Sequence, residues 1–337
     1  MRRSALALLL GLAAVFTAAA PAGAADKPVL TVYTYDSFLP DWGPGPKLEV
    51  AFEKTCGCDL KWVGLGDGVA ILNRLKLEGG TTKADVALGM TAEMVPEMKA
   101  TGFFAPSGAD LARLDVPGGW ADETFVPFDY SYLAFVYDTE KMKTPPKSLD
   151  DLVDGDPAEK IVIEDPRNST PGLGFLLWMK AVYGEAAAEK WQKLSARILT
   201  VTPGWSEAYN LFTTGEAPMV LSYTTSPAYH MIEEKTERYQ AAGFAEGQYL
   251  QVELAARLAA SRQPDLAKAF LAFLVSPEAQ AILPTTNWAY PVTKPATPLP
   301  AAFDKLVQPT KPLVVPAEAV AANRKAWTDE WLKALGR

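Results

Sequence analysis

The sequence predicts an α/β protein of two lobes, with a ligand cleft between them and hinge strands joining them. Three observations lead there. Strand-like and helix-like segments alternate along the first hundred residues, as they do in sheets covered by helices. The 313 residues from Ala25 to Arg337 exceed the ~250–300 at which a single core tends to split. Two long apolar runs, "FDYSYLAFVY" and "YLQVEL", sit where a chain leaving one lobe and returning to it would cross.

Taken in order, Arg2 and Arg3 precede an apolar run from Ala5 to Ala20, and Ala22-Gly23-Ala24 closes it. That order reads as a secretory signal peptide, residues 1–24; the alternative, a membrane anchor, is disfavoured because the run is shorter than the ~20 residues of a spanning helix. An exported chain follows, with the periplasm its simplest destination. "VLTVYTY" (Val29–Tyr35) is a β-branched and aromatic strand. "PKLEVAFEKT" is helical, "LKWVGL" a second strand, Gly68–Glu78 a helix, "ADVALG" a third strand, and Thr91–Thr101 a helix. The rhythm implies parallel strands, with ligands held beyond their carboxyl ends at Tyr35-Asp36-Ser37, Gly66-Asp67-Gly68 and Gly89-Met90-Thr91.

The second half repeats the scheme. Ser148 and Asp151 make a capping-box start before the strand "KIVIED". Ser169-Thr170-Pro171-Gly172 then opens a long helix; such an end is either a well-capped terminus or an anion seat. "PMVLSYT" and "YLQVELAARLAA" read as strands, "PDLAKAFLAFLVSPEAQ" as an amphipathic helix pair, and "AEAVAANRKAWTDEWLKAL" as a final helix. The first lobe is expected over 25–129 plus 249–337, with 290–337 unplaced, and the second over 130–248.

Composition narrows the function. With 49% hydrophobic and 21% charged residues the chain is an ordinary globular one. The formal net charge of −8, and the lack of any Lys/Arg cluster, argue against nucleic acid. Cys56 and Cys58 flank Gly57, and in an oxidising compartment they are expected to pair. A zinc site is disfavoured because His230 is the single histidine, and a catalytic thiol is the third reading. His230 has no G-x-S-x-G partner that would make a hydrolase, and is read as a structural or rim residue.

The segment "TPGWSEAYNLFTTGEAPMVLSYTTSPAYH" carries Trp205, Tyr209, Phe212, Tyr223 and Tyr229 among turn residues. Phe212, with Phe175 and Trp178, is expected in the core. Trp205 at a helix start, and Tyr223 and Tyr229 around a loop, are expected in the cleft. Asp67 is open to two readings, a helix cap or an acceptor facing a cationic ligand.

"KPVLTVYTYDSF", "DWGPGP", "DGV", "STPGLG", "GWSEAY", "LSYTTSPAYH", "YLQVE" and the pattern around "NWAYP" occur in one order. Over about Lys27–Trp331 the chain resembles the periplasmic thiamine-binding proteins of thiamine ABC importers. The resemblance implies a monomeric two-lobed periplasmic binding protein without catalysis or cofactor. Its partners would be thiamine, the mono- and diphosphate esters, and a membrane permease. It places ligand contacts at Tyr35, Trp42, Asp67, Gly68, Ser169, Trp205, Tyr223, Tyr229 and Trp288. Aromatic faces suit a flat aminopyrimidine joined to a thiazolium of fixed positive charge. A polyamine carrier would want carboxylates along the cleft. An iron carrier of this architecture uses adjacent tyrosines, and a thiaminase-like enzyme needs a free nucleophilic Cys.

Overall fold

The structure is a computed structural model that describes residues 27–309 and 311–336; the expected signal peptide lies outside them. Apolar strand segments build a first sheet from β1 (Val29–Thr34), β2 (Asp59–Gly64) and β3 (Val86–Thr91). β1 lies between the other two and pairs in parallel with both. Its crossover helices are α1 (Gly45–Cys56) and α2 (Gly68–Glu78), and α3 (Val95–Ala100) follows β3. Gly57, at φ +62°, ends α1 in the left-handed region that a Cβ disfavours. Cys56 and Cys58 form a disulfide across it.

β4 (Val126–Asp138) carries the chain across. The second lobe contains α4 (Leu149–Asp154), β5 (Ile161–Glu164), α5 (Thr170–Tyr183), α6 (Ala187–Leu194) and β6 (Ile198–Thr202). It continues with α7 (Trp205–Thr213), β7 (Met219–Tyr223), α8 (Pro227–Ile232) and β8 (Tyr239–Ala241). β9 (Gln248–Arg257) returns, and α9 (Pro264–Leu274) and α10 (Pro277–Ile282) follow. The last elements are β10 (Tyr290–Pro291), β11 (Pro312–Leu313) and α11 (Ala317–Ala334).

Strand order is β2-β1-β3-β9-β4-β7-β5-β6. The outer strands run parallel, as the alternating pattern requires, but β9 is antiparallel to both β3 and β4, and β4 is antiparallel to β7. The sheet is therefore mixed, because each crossing strand runs from one lobe into the other. β4 pairs with β9 through Tyr132 and with β7 from Leu133 onward, so one strand serves both lobes.

Leu30, Val32, Phe38, Phe52, Phe270 and Leu274 are buried together, which fixes α9 against the first lobe. Trp178, Phe175 and Trp191 fill the second lobe, and Phe212 a neighbouring cluster, as expected for rings on helix faces. Each such burial removes ~1.5–3 kcal/mol of apolar exposure. Residues 290–337, unplaced by the sequence, make contacts on both sides. Phe303 and Leu306 pack on Ala228 of the second lobe, and β10 pairs with β4. α11 then lies across both lobes: Arg324 meets Glu97 at 2.6 Å, Lys180 meets Glu330 at 2.7 Å, and Trp331 packs edge-on against Trp191.

Candidate functional site

Between the lobes lies a cavity of about 480 Å³, whose floor is made by the crossing strands themselves. Asp129 stands directly opposite Glu253 in the β4–β9 register, and Ser131 directly opposite Gln251. All four line the cavity. On a strand, residues two apart share a face, so Asp129 with Ser131, and Gln251 with Glu253, point the same way. Tyr35, just past β1, donates its hydroxyl to Glu253 Oε2 at 2.9 Å. The Asn287 amide donates to Asp129 Oδ2 at 2.6 Å, and its Oδ1 lies 3.0 Å from the Tyr35 hydroxyl.

Aromatic side chains make the walls. Trp205 begins α7 and stacks on Tyr209 one turn later, with ring centroids 4.7 Å apart and planes 23° apart. Its indole N–H donates to Ser222 Oγ at 2.8 Å, which fixes the ring. Tyr223 ends β7 and donates to Gln251 Oε1 at 2.8 Å. Tyr229, on α8, meets Trp288 edge to face at 5.5 Å. Trp288 holds φ +54°, a backbone state costly for a side chain with a Cβ and one that collects at ligand sites. Trp42 stands at the mouth and is 48% exposed.

Asp67 ties the lobes together. It caps α2, accepting from Gly68 N at 2.6 Å, and the same Oδ1 accepts from Thr170 N at 3.2 Å and Thr170 Oγ1 at 3.0 Å. Its Oδ2 accepts from Trp205 N at 3.1 Å. One carboxylate thus meets the N-termini of α2, α5 and α7, each a partial positive charge. The cap reading of Asp67 thus extends to helices on both sides of the cleft, and the residue also lines the cavity.

Seven of the nine expected contact residues line the cavity: Tyr35, Trp42, Asp67, Trp205, Tyr223, Tyr229 and Trp288. Gly68 and Ser169 stand behind its wall. A Cβ on Gly68 would lie 2.1 Å from the Gly89 carbonyl oxygen and 2.6 Å from Thr170 Cγ2, so Gly68 permits the close approach of the two lobes. Ser169 is fully buried, and its hydroxyl accepts from Gly172 N at 3.3 Å. At the start of α5 that hydroxyl serves Gly172 N and Asp67 serves Thr170 N, while Thr170 and Pro171 line the cavity.

The sequence reading passed over Asp129, Gln251, Glu253 and Asn287, and named Tyr209 without placing it. The signal was present as polar residues at alternate positions inside apolar strands, in "PFDYSY" and "YLQVEL". His230 is fully buried, with Tyr209 Oη 2.8 Å from Nε2 and Glu234 2.6 Å from Nδ1. Burial lowers its pKa, so at neutral pH it is an uncharged brace for Tyr209. Four carboxylates line the cavity, and neither Lys nor Arg does, among the described residues. The field therefore favours cations.

Two lobes, hinge strands and an aromatic cleft floored with carboxylates define a binding protein for a small solute. The chain belongs to the family of bacterial extracellular solute-binding proteins, whose model matches residues 18–281. It is 58% identical to the thiamine-binding periplasmic protein of Brucella abortus over 98% of both chains. It is 57% identical to that of Escherichia coli, covering 92% of this chain and 94% of the other. A solved periplasmic thiamin binding protein superposes with a TM-score of 0.91 at 56% identity, over 95% of this chain and all of that one.

Proposed function

We propose that the chain is the periplasmic binding component of an ABC importer, and that it captures thiamine and its mono- and diphosphate esters in the interlobe cavity. The observation that carries this reading is the pairing of aromatic walls with an acidic floor. Rings such as Trp205 and Tyr223 offer faces to the pyrimidine and the thiazolium, each desolvated cation–π contact contributing about 2 kcal/mol. A volume of about 480 Å³ is within the ~300–1,000 Å³ usual for small-molecule sites. Ser206, in the first turn of α7, lines the cavity and offers a neutral hydroxyl to an ester phosphate. The protein acts as a monomer and hands its ligand to a membrane permease. It carries thiamine as cargo and uses no cofactor.

The acidic floor invites comparison with a polyamine carrier. Asp67 is engaged with three helix starts and Glu234 with His230, so one carboxyl pair remains for a ligand cation. A linear polyamine presents several ammonium groups and would leave most of them unmatched. Calorimetric titration of refolded, ligand-free protein with thiamine, its two esters and spermidine tests this. Binding of thiamine with no measurable spermidine binding is expected; the reverse order would overturn the assignment.

A further inference from the structure

Carboxylates placed directly opposite one another on neighbouring strands repel, and sheets ordinarily avoid the arrangement. Here Asp129 and Glu253 are register partners on β4 and β9, at the bottom of the cavity. Their neighbours do not neutralise them. Tyr35 and Asn287 contribute one hydroxyl and one amide, and Ser131 and Gln251 are the next register pair. The charged group nearest in influence is Asp67, which adds further negative potential at Glu253. Tyr223 faces the pair from β7, and its hydroxyl is held protonated by burial and by the same carboxylates. Asp129 is 1% exposed, lines the cavity, and its Oδ1 has no hydrogen-bond partner among the described residues. A buried carboxylate oxygen without a partner is costly unless something arrives to complete it.

We propose that the Asp129–Glu253 pair is the cation subsite of the cleft and works by exchange: one proton held between the two carboxyls in the empty cleft leaves as the ligand's positive ring enters. Two facing carboxylates that cannot both ionise keep one proton between them, and an arriving fixed charge replaces it. The balance is simple. The carboxyl O–H bond breaks, the proton goes to solvent, and the cation takes over the neutralising role without any covalent change. Burial raises the pKa of both groups, most directly by desolvation, which places the shared proton where it persists well above the ordinary carboxylate range. The aromatic walls supply shape and stacking; the floor supplies the charge selection.

This inference rests on thiamine being the ligand, and the experiment separates the two claims. Thiamine is titrated into wild-type protein at ~pH 6–8 in buffers of different ionisation enthalpy, which reports the protons exchanged. Release approaching one proton is expected at the acid end of the window, with affinity rising by up to about tenfold per pH unit as the pair titrates. Tight binding with no proton released at any pH overturns the exchange and leaves the thiamine assignment standing. No binding at all overturns that assignment.

Asp129→Asn supplies a second readout. It is expected to weaken thiamine binding at least tenfold and to abolish proton release. It should also raise the melting temperature of the ligand-free protein at ~pH 8, because the opposed charges are gone. A merely structural pair would instead lose stability in that variant, which would overturn the proposal. Should Asp129→Asn fail to fold, Glu253→Gln and the wild-type proton count decide.

Discussion

Replacing Asp67 with Asn tests how the cleft closes. The carboxylate accepts four hydrogen bonds, three of them from the opposite lobe: Thr170 N, Thr170 Oγ1 and Trp205 N. An amide keeps one acceptor oxygen and turns the other position into a donor. If that oxygen retains Gly68 and Thr170, the new NH₂ group faces Trp205 N–H across 3.1 Å, donor against donor. The loss of one charge-assisted bond, with a donor left unmatched, is ~1.5–3 kcal/mol. It falls on the closed arrangement, since Thr170 and Trp205 belong to the other lobe. Affinity should therefore drop roughly 10- to 150-fold, at about 1.4 kcal/mol per factor of ten. Asn caps α2 about as well as Asp, so the ligand-free variant should melt within ~0.5 kcal/mol of wild type. Because the defect lies in closure, thiamine and its esters should lose affinity by the same factor, measured calorimetrically at two salt concentrations. Unchanged affinity, or a loss confined to one ligand, would refute the reasoning and make Asp67 a ligand contact or a simple cap.

Two further outcomes follow from the same geometry. Ser169→Ala should cost ~0.5–2 kcal/mol of stability by thermal unfolding, as N-cap losses do, while thiamine and monophosphate affinities change together; a selective loss of the ester would return Ser169 to the ligand. Thiamine at about a hundred times its dissociation constant should stabilise the fold by ~2.7 kcal/mol and reduce the radius measured by small-angle scattering; stabilisation with no compaction would remove closure from the account.

Much of the architecture was legible because it rests on local patterning. The strands of the first lobe announce themselves by β-branched runs, and Ser148, Ser169 and Pro171 mark helix starts that occur where expected. The crossing strands were found by their length and apolar character, yet their antiparallel direction was not, since direction depends on which lobe each strand enters. Residues 290–337 could not be placed because short elements such as β10 and β11 draw their stability from tertiary partners. In the cleft, aromatic residues at turn positions were readable one at a time. Asp129 with Glu253 was not, because the pairing joins residues far apart in sequence and only the register brings them together. The role of Asp67 was half legible: its own helix start is local, while the ends of α5 and α7 reach it through space.

The hinge strands carry the floor, and this sets an order of events during capture. Asp129 and Glu253 are held to each other by the β4–β9 ladder, so separating the lobes leaves their spacing unchanged. Trp205, in contrast, starts a helix of the second lobe and touches Asp67 of the first, a contact that any opening must break. An open molecule would thus present a finished acidic landing site with its walls swung aside. Arrival is then governed by long-range attraction to that site, which added salt should slow. Departure is governed by how often the Asp67 contacts let go, and salt reaches those enclosed bonds much less. The two rate constants answer to different parts of the molecule, so a variant can shorten residence on the protein without changing how fast the ligand is found.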